Sequence, residues 1–97
     1  MPAYVIASVT EAHDQEALAE YRRLNTESVA RHHGRFVVRG GAIEVLEGGW
    51  DPLRVVVIEF ADLAAARAWY ESDDYQAIAP LRQGASAPDI IAVEGAG

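Results

Sequence analysis

Residues 32–60 read HHGRFVVRGGAIEVLEGGWDPLRVVVIEF, and their pattern is the most informative indication of the fold. Residues 55–58 within them are apolar at every position, whereas a strand with one solvated face would alternate apolar and polar residues. Such a strand must be covered on both faces. A chain of 97 residues has enough helix to cover only one face of a small sheet. We therefore expect the other face to meet a second copy of the protein, which gives a homodimer.

The segments around this stretch predict a βαββαβ order. Apolar and β-branched residues indicate strands over residues 3–9 and 90–93, in addition to the strand at 55–58. Asp14 and Asp62 are suitable N-cap residues for two helices. The first of these helices carries apolar residues at helical spacing, which predicts that it packs on the sheet.

Glycines mark the turns of the first half of the chain. We expect the first helix to end with a left-handed cap at Gly34, because glycine adopts that conformation readily. The second strand starts at Arg35, is interrupted at residues 40–41 and is expected to continue over residues 43–46. The turn-forming residues 47–52 then predict an antiparallel hairpin.

The last third of the chain contains a second set of boundary signals. Asp73 with Gln76 three residues later is typical of a capping box at the start of a short third helix. Pro80 is expected to kink or end that helix, because proline lacks the N–H that a helix interior needs. Residues 84–88 are expected to form a linker to the final strand.

This order is that of a ferredoxin-like α+β fold in one domain over residues 1–97. Four antiparallel strands are expected to lie beneath two main helices on one face. Pairing the free faces of two copies would close a dimeric α+β barrel.

The charge balance argues against nucleic-acid and membrane partners. The formal net charge is −7, and a nucleic-acid binder needs a concentrated cationic face. The apolar runs are too short to cross a bilayer, and the first residues lack the features of a signal peptide. We therefore expect a cytoplasmic protein.

Missing residue types restrict the chemistry. The chain has no cysteine, which excludes thiolate catalysis and thiolate metal sites. It has no lysine either, so Schiff-base chemistry is excluded and all 8 basic residues are arginines. The glycine pairs lack the spacing of a phosphate-binding loop. We expect no flavin, haem or stoichiometric metal in the protein.

Glu59 is a candidate ligand-binding residue because it lies in a strand otherwise suited to burial. A carboxylate there must be paired or protonated. Arg39 or Arg54 on a neighbouring strand could form a structural ion pair with it. Alternatively, Arg39 and Glu59 could border a ligand cavity as a coupled pair, with Arg39 gripping a carboxylate.

The other candidates lie on helices or at their ends. Trp69 and Tyr70 are adjacent on the second helix, so one should pack on the sheet while the other lines a pocket or rim, although both could be ordinary core. Arg82 is seven residues after Tyr75, which places both on one side of a continuous helix. His32 is a candidate for ligand binding or a general base, but no residue set completes a metal site.

Six short motifs recur in the order and at the spacing of a known family. They are HGRFVVRGG at 33–41, EGGW at 47–50, VIEF at 57–60, ARAWY at 66–70, SDDYQ at 72–76 and LR at 81–82. Over essentially the whole chain, the sequence resembles domain-of-unknown-function family 1330. The resemblance implies the dimeric α+β-barrel superfamily, which includes cofactor-independent monooxygenases, muconolactone isomerases and haem enzymes, and it implies no established reaction. His33 departs from the pattern, since the family usually has glycine there.

Two classes of function follow from these features. The first is a small-molecule site, for binding or for cofactor-independent monooxygenase- or isomerase-like catalysis, in a cavity between sheet and helices. The second is a non-catalytic structural or stress-associated dimer without a ligand. A cavity with converging polar side chains would favour the first class, and a filled core would favour the second.

Overall fold

The chain folds into four strands and three helices in the predicted order. The structure is a computed structural model that describes residues 1–96, except for the side chains of residues 87 and 88. The elements are β1 Ala3–Ala12, α1 Gln15–Arg31, β2 Arg35–Arg39, β3 Arg54–Phe60, α2 Leu63–Glu71, α3 Asp73–Gln83 and β4 Ser86–Glu94. This confirms the ferredoxin-like βαββαβ arrangement with a short third helix. Within the described residues, no helix has the length and apolar character needed to cross a membrane.

The sheet has two distinct faces. All strand pairs are antiparallel, and the strand order is β2-β3-β1-β4. Ile6 of β1 lies opposite Val57 of β3 and Ile91 of β4. Because side chains alternate along a strand, these three residues share one face, here called the outer face. The helices cover the opposite, inner face, which carries Val5 and Ile58 in the core.

Aromatic side chains form the centre of the core on the inner face. Trp69, Tyr75 and Phe60 are the largest fully buried side chains. The ring centroids of Trp69 and Tyr75 are 4.3 Å apart, and those of Trp69 and Phe60 are 5.5 Å apart. Such pairs contribute about 0.5–1.5 kcal/mol beyond the burial of their surface. Trp69 therefore fixes α2 and α3 against β3.

The outer face carries apolar side chains that no part of the described chain covers. Ile91, Val93 and Val38 are 59%, 43% and 40% exposed. Ile6 and Val57 lie between them in the strand register. A contiguous exposed apolar patch of this kind marks an interaction site. The helices thus cover only one of the two apolar faces that the sequence pattern predicts.

The end of α1 differs from the prediction in one residue. The Gly34 N–H donates to the Val29 carbonyl oxygen at 2.9 Å and the His33 N–H donates to that of Ala30 at 3.1 Å, which is a Schellman motif. The left-handed residue is His33, with φ of 60°, so the prediction for Gly34 is wrong. Gly34 is needed for a different reason. A Cβ there would lie 2.7 Å from a ring carbon of Phe60.

Short polar side chains start all three helices. Asp14 and Asp62 act as N-caps as predicted, each accepting a backbone hydrogen bond at 3.1 and 2.7 Å, respectively. The N-cap of α3 is Ser72, whose Oγ accepts from the Tyr75 N–H at 3.3 Å. Asp73 is the first helical residue instead of the cap, so the predicted capping box is wrong. The hydroxyl of Ser72 reaches the N–H three residues on, as an N-cap requires.

The junction between α3 and β4 is tighter than predicted. Pro80 neither ends α3 nor prevents it from continuing to Gln83. Pro80 is exposed, so water can reach the carbonyl that loses its helical partner. β4 already begins at Ser86, which pairs with Ala12 beyond an irregularity in the register. Residues 84–88 therefore do not form a simple linker.

The predicted hairpin of β2 and β3 is present, but its connection is long. Residues 40–53 form neither helix nor strand, so the expected continuation of β2 over residues 43–46 is wrong. A register shift between Phe36 and Val38 marks a bulge in β2. Because of this bulge, Arg39 lies on the inner face of the sheet.

Candidate functional site

A cavity of about 420 Å³ lies between the inner face of the sheet and α1. Its walls are mainly apolar. They include Val5, Val9, Leu18, Val56, Ile58 and Trp69. Ligand pockets typically have volumes of about 300–1,000 Å³ and apolar walls with a few polar groups. The cavity lies between sheet and helices, where the sequence predicted a small-molecule site.

Arg39 reaches the cavity from β2 and is held in place by three contacts. Its guanidinium carbon lies 3.9 Å from the centroid of the Phe36 ring. Its Nη2 donates to the Arg22 carbonyl oxygen at 2.9 Å and to the Thr26 Oγ1 at 2.7 Å. Nε and Nη1 have no partner among the described residues. Arg39 therefore presents a positioned cation with free hydrogen-bond donors.

Two further arginines line the cavity beside Arg39. Arg54 comes from the first position of β3 and Arg22 from α1. Gly40 leaves space for the Arg54 guanidinium, which a Cβ at this position would overlap. Burial, followed by the charge of Arg22, lowers the pKa of both Arg39 and Arg54. The three guanidinium groups are close enough to repel one another.

Arg82 contributes a buried cation from α3. It is 6% exposed, and its Nε donates to the Tyr75 hydroxyl at 3.1 Å, which confirms that the two residues share one side of the helix. The Tyr75 and Tyr21 hydroxyls are hydrogen-bonded at 2.8 Å. Burial raises the pKa of Tyr21 far above its ordinary value, so this phenol stays protonated and does not act as a base.

Asn25 lines the cavity and carries an unpaired acceptor that is buried in the protein. The residue is 5% exposed, and its Oδ1 has no hydrogen-bond partner among the described residues. A buried acceptor without a partner costs about 1–3 kcal/mol. Because this oxygen is itself fully buried, an occupant of the cavity does not contact it in this arrangement.

The lining can bind and polarise a ligand, but it offers no base. No aspartate, glutamate or histidine of the described chain lines the cavity. The cations and the amide can orient a molecule and stabilise negative charge on it. Proton removal would need a carboxylate or imidazole, which this lining lacks. No group of three or more His, Asp or Glu residues suited to a metal ion occurs among the described residues.

The structure brings three of the six predicted ligand-binding residues together. Arg39, Trp69 and Arg82 line the cavity, whereas Glu59, Tyr70 and His32 do not.

Glu59 faces outward and pairs with Arg35. Its Oε1 lies 2.5 Å from Nη2 and 3.2 Å from Nε of Arg35, and its Oε2 accepts from the Tyr4 hydroxyl at 3.3 Å. The hydrogen bonds from Arg35 are the main reason that the pKa of Glu59 is lowered. The expected pair of Arg39 and Glu59 is therefore wrong, because the two side chains lie on opposite faces of the sheet.

His32 joins the end of α1 to α3. Its Nε2 lies 3.0 Å from Oδ1 of Asp74, and the other carboxylate oxygen accepts from Ser28 Oγ at 3.0 Å and from Arg31 Nη1 at 2.9 Å. These hydrogen bonds, that of His32 foremost, hold the pKa of Asp74 well below its ordinary value. These contacts are structural, since they connect the end of α1 to α3.

Tyr70 and Trp69 lie in different surroundings, as expected for adjacent residues of a helix. Trp69 is fully buried, and its Nε1 donates to Ser28 Oγ at 3.2 Å. Tyr70 is half-buried and lines a second cavity of about 290 Å³ between α2 and β4. Tyr70 therefore lies away from the arginines of the main cavity.

Sequence reasoning did not select Arg22, Asn25 or Arg54 for this site. Asn25 lies at helical spacing from Leu18 on the buried stripe of α1, and a polar residue on such a stripe is a usable signal. Arg22 lies one turn before Asn25. Arg54 stands at an alternate position to Val56, which places it on the inner face of β3. These signals identify a site only once the fold shows that α1 and β3 face the same cavity.

Solved structures share this fold at low sequence identity. A protein of unknown function from Rhodopseudomonas palustris is 21% identical, with a TM-score of 0.77 over 99% of this chain and 83% of that chain. A dimeric ferredoxin-like protein of unknown function from Jannaschia sp. CCS1 is 15% identical, with a TM-score of 0.73 over 98% and 100% of the two chains. A candidate antibiotic biosynthesis monooxygenase from Nitrosomonas europaea is 17% identical, with a TM-score of 0.59 over 98% and 89%. Such likeness shows the fold alone.

The sequence itself gives the family. No curated protein matches it. A family model described as a domain of unknown function, DUF1330, matches residues 2–96. Because this match spans nearly the whole chain, the protein belongs to the DUF1330 family.

Proposed function

We propose that the protein is a homodimer that binds a small organic molecule in the inner cavity. The observation that carries this proposal is the cavity of about 420 Å³, in which apolar walls surround Arg39, Arg54 and Arg82. A structural module without a ligand would have a filled core at this position. Burying the Arg82 guanidinium with only a neutral hydrogen-bond partner is costly, so this group favours a ligand.

The outer face supports self-association. Its exposed apolar side chains, Ile91 above all, would be covered if two sheets packed face to face. The pair of Arg35 and Glu59 lies beside this surface and would form part of its polar rim. The solved structure from Jannaschia sp. CCS1 is described as dimeric, which agrees with self-association.

In an enzymatic reaction in this cavity, the protein would mainly stabilise negative charge on the substrate. The solved neighbour from Nitrosomonas europaea is a candidate monooxygenase, and the guanidinium groups could stabilise an enolate or phenolate in the cavity. Since the lining has no base, the substrate itself would have to ionise readily. Binding is therefore the primary function that we propose, and cofactor-independent catalysis is a further step that measurements of oxygen uptake with a bound compound would test.

A binding screen with a cavity-filling variant tests the proposal. We would screen small aromatic and aliphatic molecules, both neutral and charged, by ligand-observed NMR. Ala7→Phe places a ring in the cavity and should abolish binding, whereas Ala77→Phe adds the same ring on the exposed side of α3 and should not. Compounds that bind the wild type and both variants equally, or no binding at all, would contradict a ligand site in this cavity.

A further inference from the structure

Among the described residues, the arginines of this acidic chain differ in whether a carboxylate lies beside them. The formal net charge is −7, yet Arg23, Arg31 and Arg35 are the only arginines of the described chain with a carboxylate within 4.0 Å. Those three lie away from the cavity. Within the described residues, no carboxylate lies within that distance of the arginines that line it, which are Arg22, Arg39, Arg54 and Arg82.

This arrangement leaves an uncompensated charge in partly dehydrated surroundings. Arg82 is 6% exposed and has the Tyr75 hydroxyl as its side-chain partner, a neutral group. Arg39 is fixed through Nη2 and the Phe36 ring and keeps its other donors free. Guanidinium groups hold carboxylates with two parallel hydrogen bonds, and a buried cation without an anion is costly.

Beyond the proposed binding of a small molecule, and resting on it, we infer that the ligand is a small organic carboxylate whose charged group meets Arg39 and Arg54 and whose apolar body lies against Val9 and Val56. The apolar walls favour an organic body over a free inorganic anion. The absence of acidic residues from the described lining removes any competing internal anion.

Paired probes of nearly the same shape, one an anion and the other its neutral amide, test this inference. Benzoate and benzamide have nearly the same shape, and so do 3-phenylpropionate and its primary amide. We would measure the affinity of all four by NMR titration at low ionic strength. The acids should bind at least about tenfold more tightly than their amides, since hydrogen bonds to a charged group are the stronger ones. Added salt should weaken the binding of the acids and leave that of the amides unchanged.

Two arginine variants and a control locate the effect. Arg39→Gln and Arg54→Gln should each weaken the acids by about tenfold while changing the amides by less than about twofold. Both residues retain solvent exposure, so the variants are expected to fold, which thermal unfolding would verify. Arg23→Gln removes the same charge at an exposed position paired with Glu20 and should have no effect.

The possible failures are distinguishable. If the amides bind as tightly as the acids, the carboxylate inference is overturned and the proposed cavity site stands. If the acids bind but Arg39→Gln and Arg54→Gln leave their affinity unchanged, the inference is also overturned. If inorganic phosphate displaces the acids at equal concentration, the site selects anions without regard to an organic body, which contradicts the ligand class. If neither acids nor amides bind but other compounds of the wider screen do, the carboxylate inference is overturned and the cavity site stands, whereas no binding by any compound contradicts both.

Discussion

Ile91→Asp is expected to dissociate the proposed dimer without unfolding the chain. Ile91 is 59% exposed in the isolated subunit, on the outer face of β4. Full burial of an isoleucine stabilises by about 1.5–3 kcal/mol, so covering the exposed part contributes roughly 1–2 kcal/mol per subunit. Both subunits of a two-fold dimer carry the change, which doubles the loss. An unpaired carboxylate in the interface adds about 3–5 kcal/mol per subunit.

Ile91→Asp should therefore raise the dimer dissociation constant by at least about 1,000-fold. Sedimentation equilibrium at micromolar concentration would measure this change, with the monomer mass as the expected result. The unfolding temperature of the variant should be that of a folded monomer. A substitution at an exposed position lowers the stability of a single subunit only slightly.

Two variants serve as controls for this experiment. Ala64→Asp adds the same charge at an exposed position in the first turn of α2 and should remain dimeric. Val56→Asp lies on the inner face against the core and should unfold the chain instead of separating subunits. If Ile91→Asp stays dimeric with the affinity of the wild type, the outer face is not the interface and the barrel arrangement is refuted.

Three further substitutions test local features. His33→Gly should raise the free energy of unfolding by about 0.5–1 kcal/mol in urea titrations, because His33 holds a φ of 60° that glycine adopts without strain; lower stability would contradict this. Asp74 has a lowered pKa, so its contacts stabilise the fold above about pH 4 and lose that effect as the pH falls toward the folded-state pKa. Asp74→Asn should flatten the dependence of thermal stability on pH in this acidic range, whereas Asp73→Asn should not, and equal profiles would refute the assignment. Gly40→Ala should destabilise by about 1–2 kcal/mol and displace the Arg54 guanidinium, and unchanged stability would count against the close packing of the two residues.

Apolar patterning was sufficient to predict the architecture. The unbroken run at residues 55–58 indicated two apolar faces, and both are present. Asp14 and Asp62 identified the starts of α1 and α2. An N-cap side chain accepts from a backbone N–H only three residues further on, so the local sequence is enough to predict it. The pairing of Ala12 with Ser86 could not be predicted, because it depends on a partner strand distant in sequence.

The bulge in β2 explains why the predicted pair of Arg39 and Glu59 is wrong. Regular alternation from Arg35 would place Arg39 on the outer face together with Glu59. The extra residue between Phe36 and Val38 shifts Arg39 to the inner face, where it lies opposite Val56. One inserted residue reverses the facing of every residue after it, and no local sequence signal marked this bulge.

The site was only partly predictable for a related reason. Arg39, Trp69 and Arg82 were selected from the sequence and line the cavity. Arg22 and Arg54 belong to elements that approach each other only in the folded chain. Their shared environment depends on how α1 crosses the sheet, which the spacing of residues within α1 does not determine.

The location of a bound carboxylate is the most direct test of the central claim, that the inner cavity is an anion-binding ligand site. A ¹⁵N NMR titration of the wild-type protein with benzoate reports this location through side-chain as well as backbone signals. We predict that the largest shifts occur at the Asn25 side-chain amide and at the Arg39 and Arg54 backbone amides. Shifts confined to outer-face residues such as Ile91, or no shifts at millimolar benzoate, would contradict the claim.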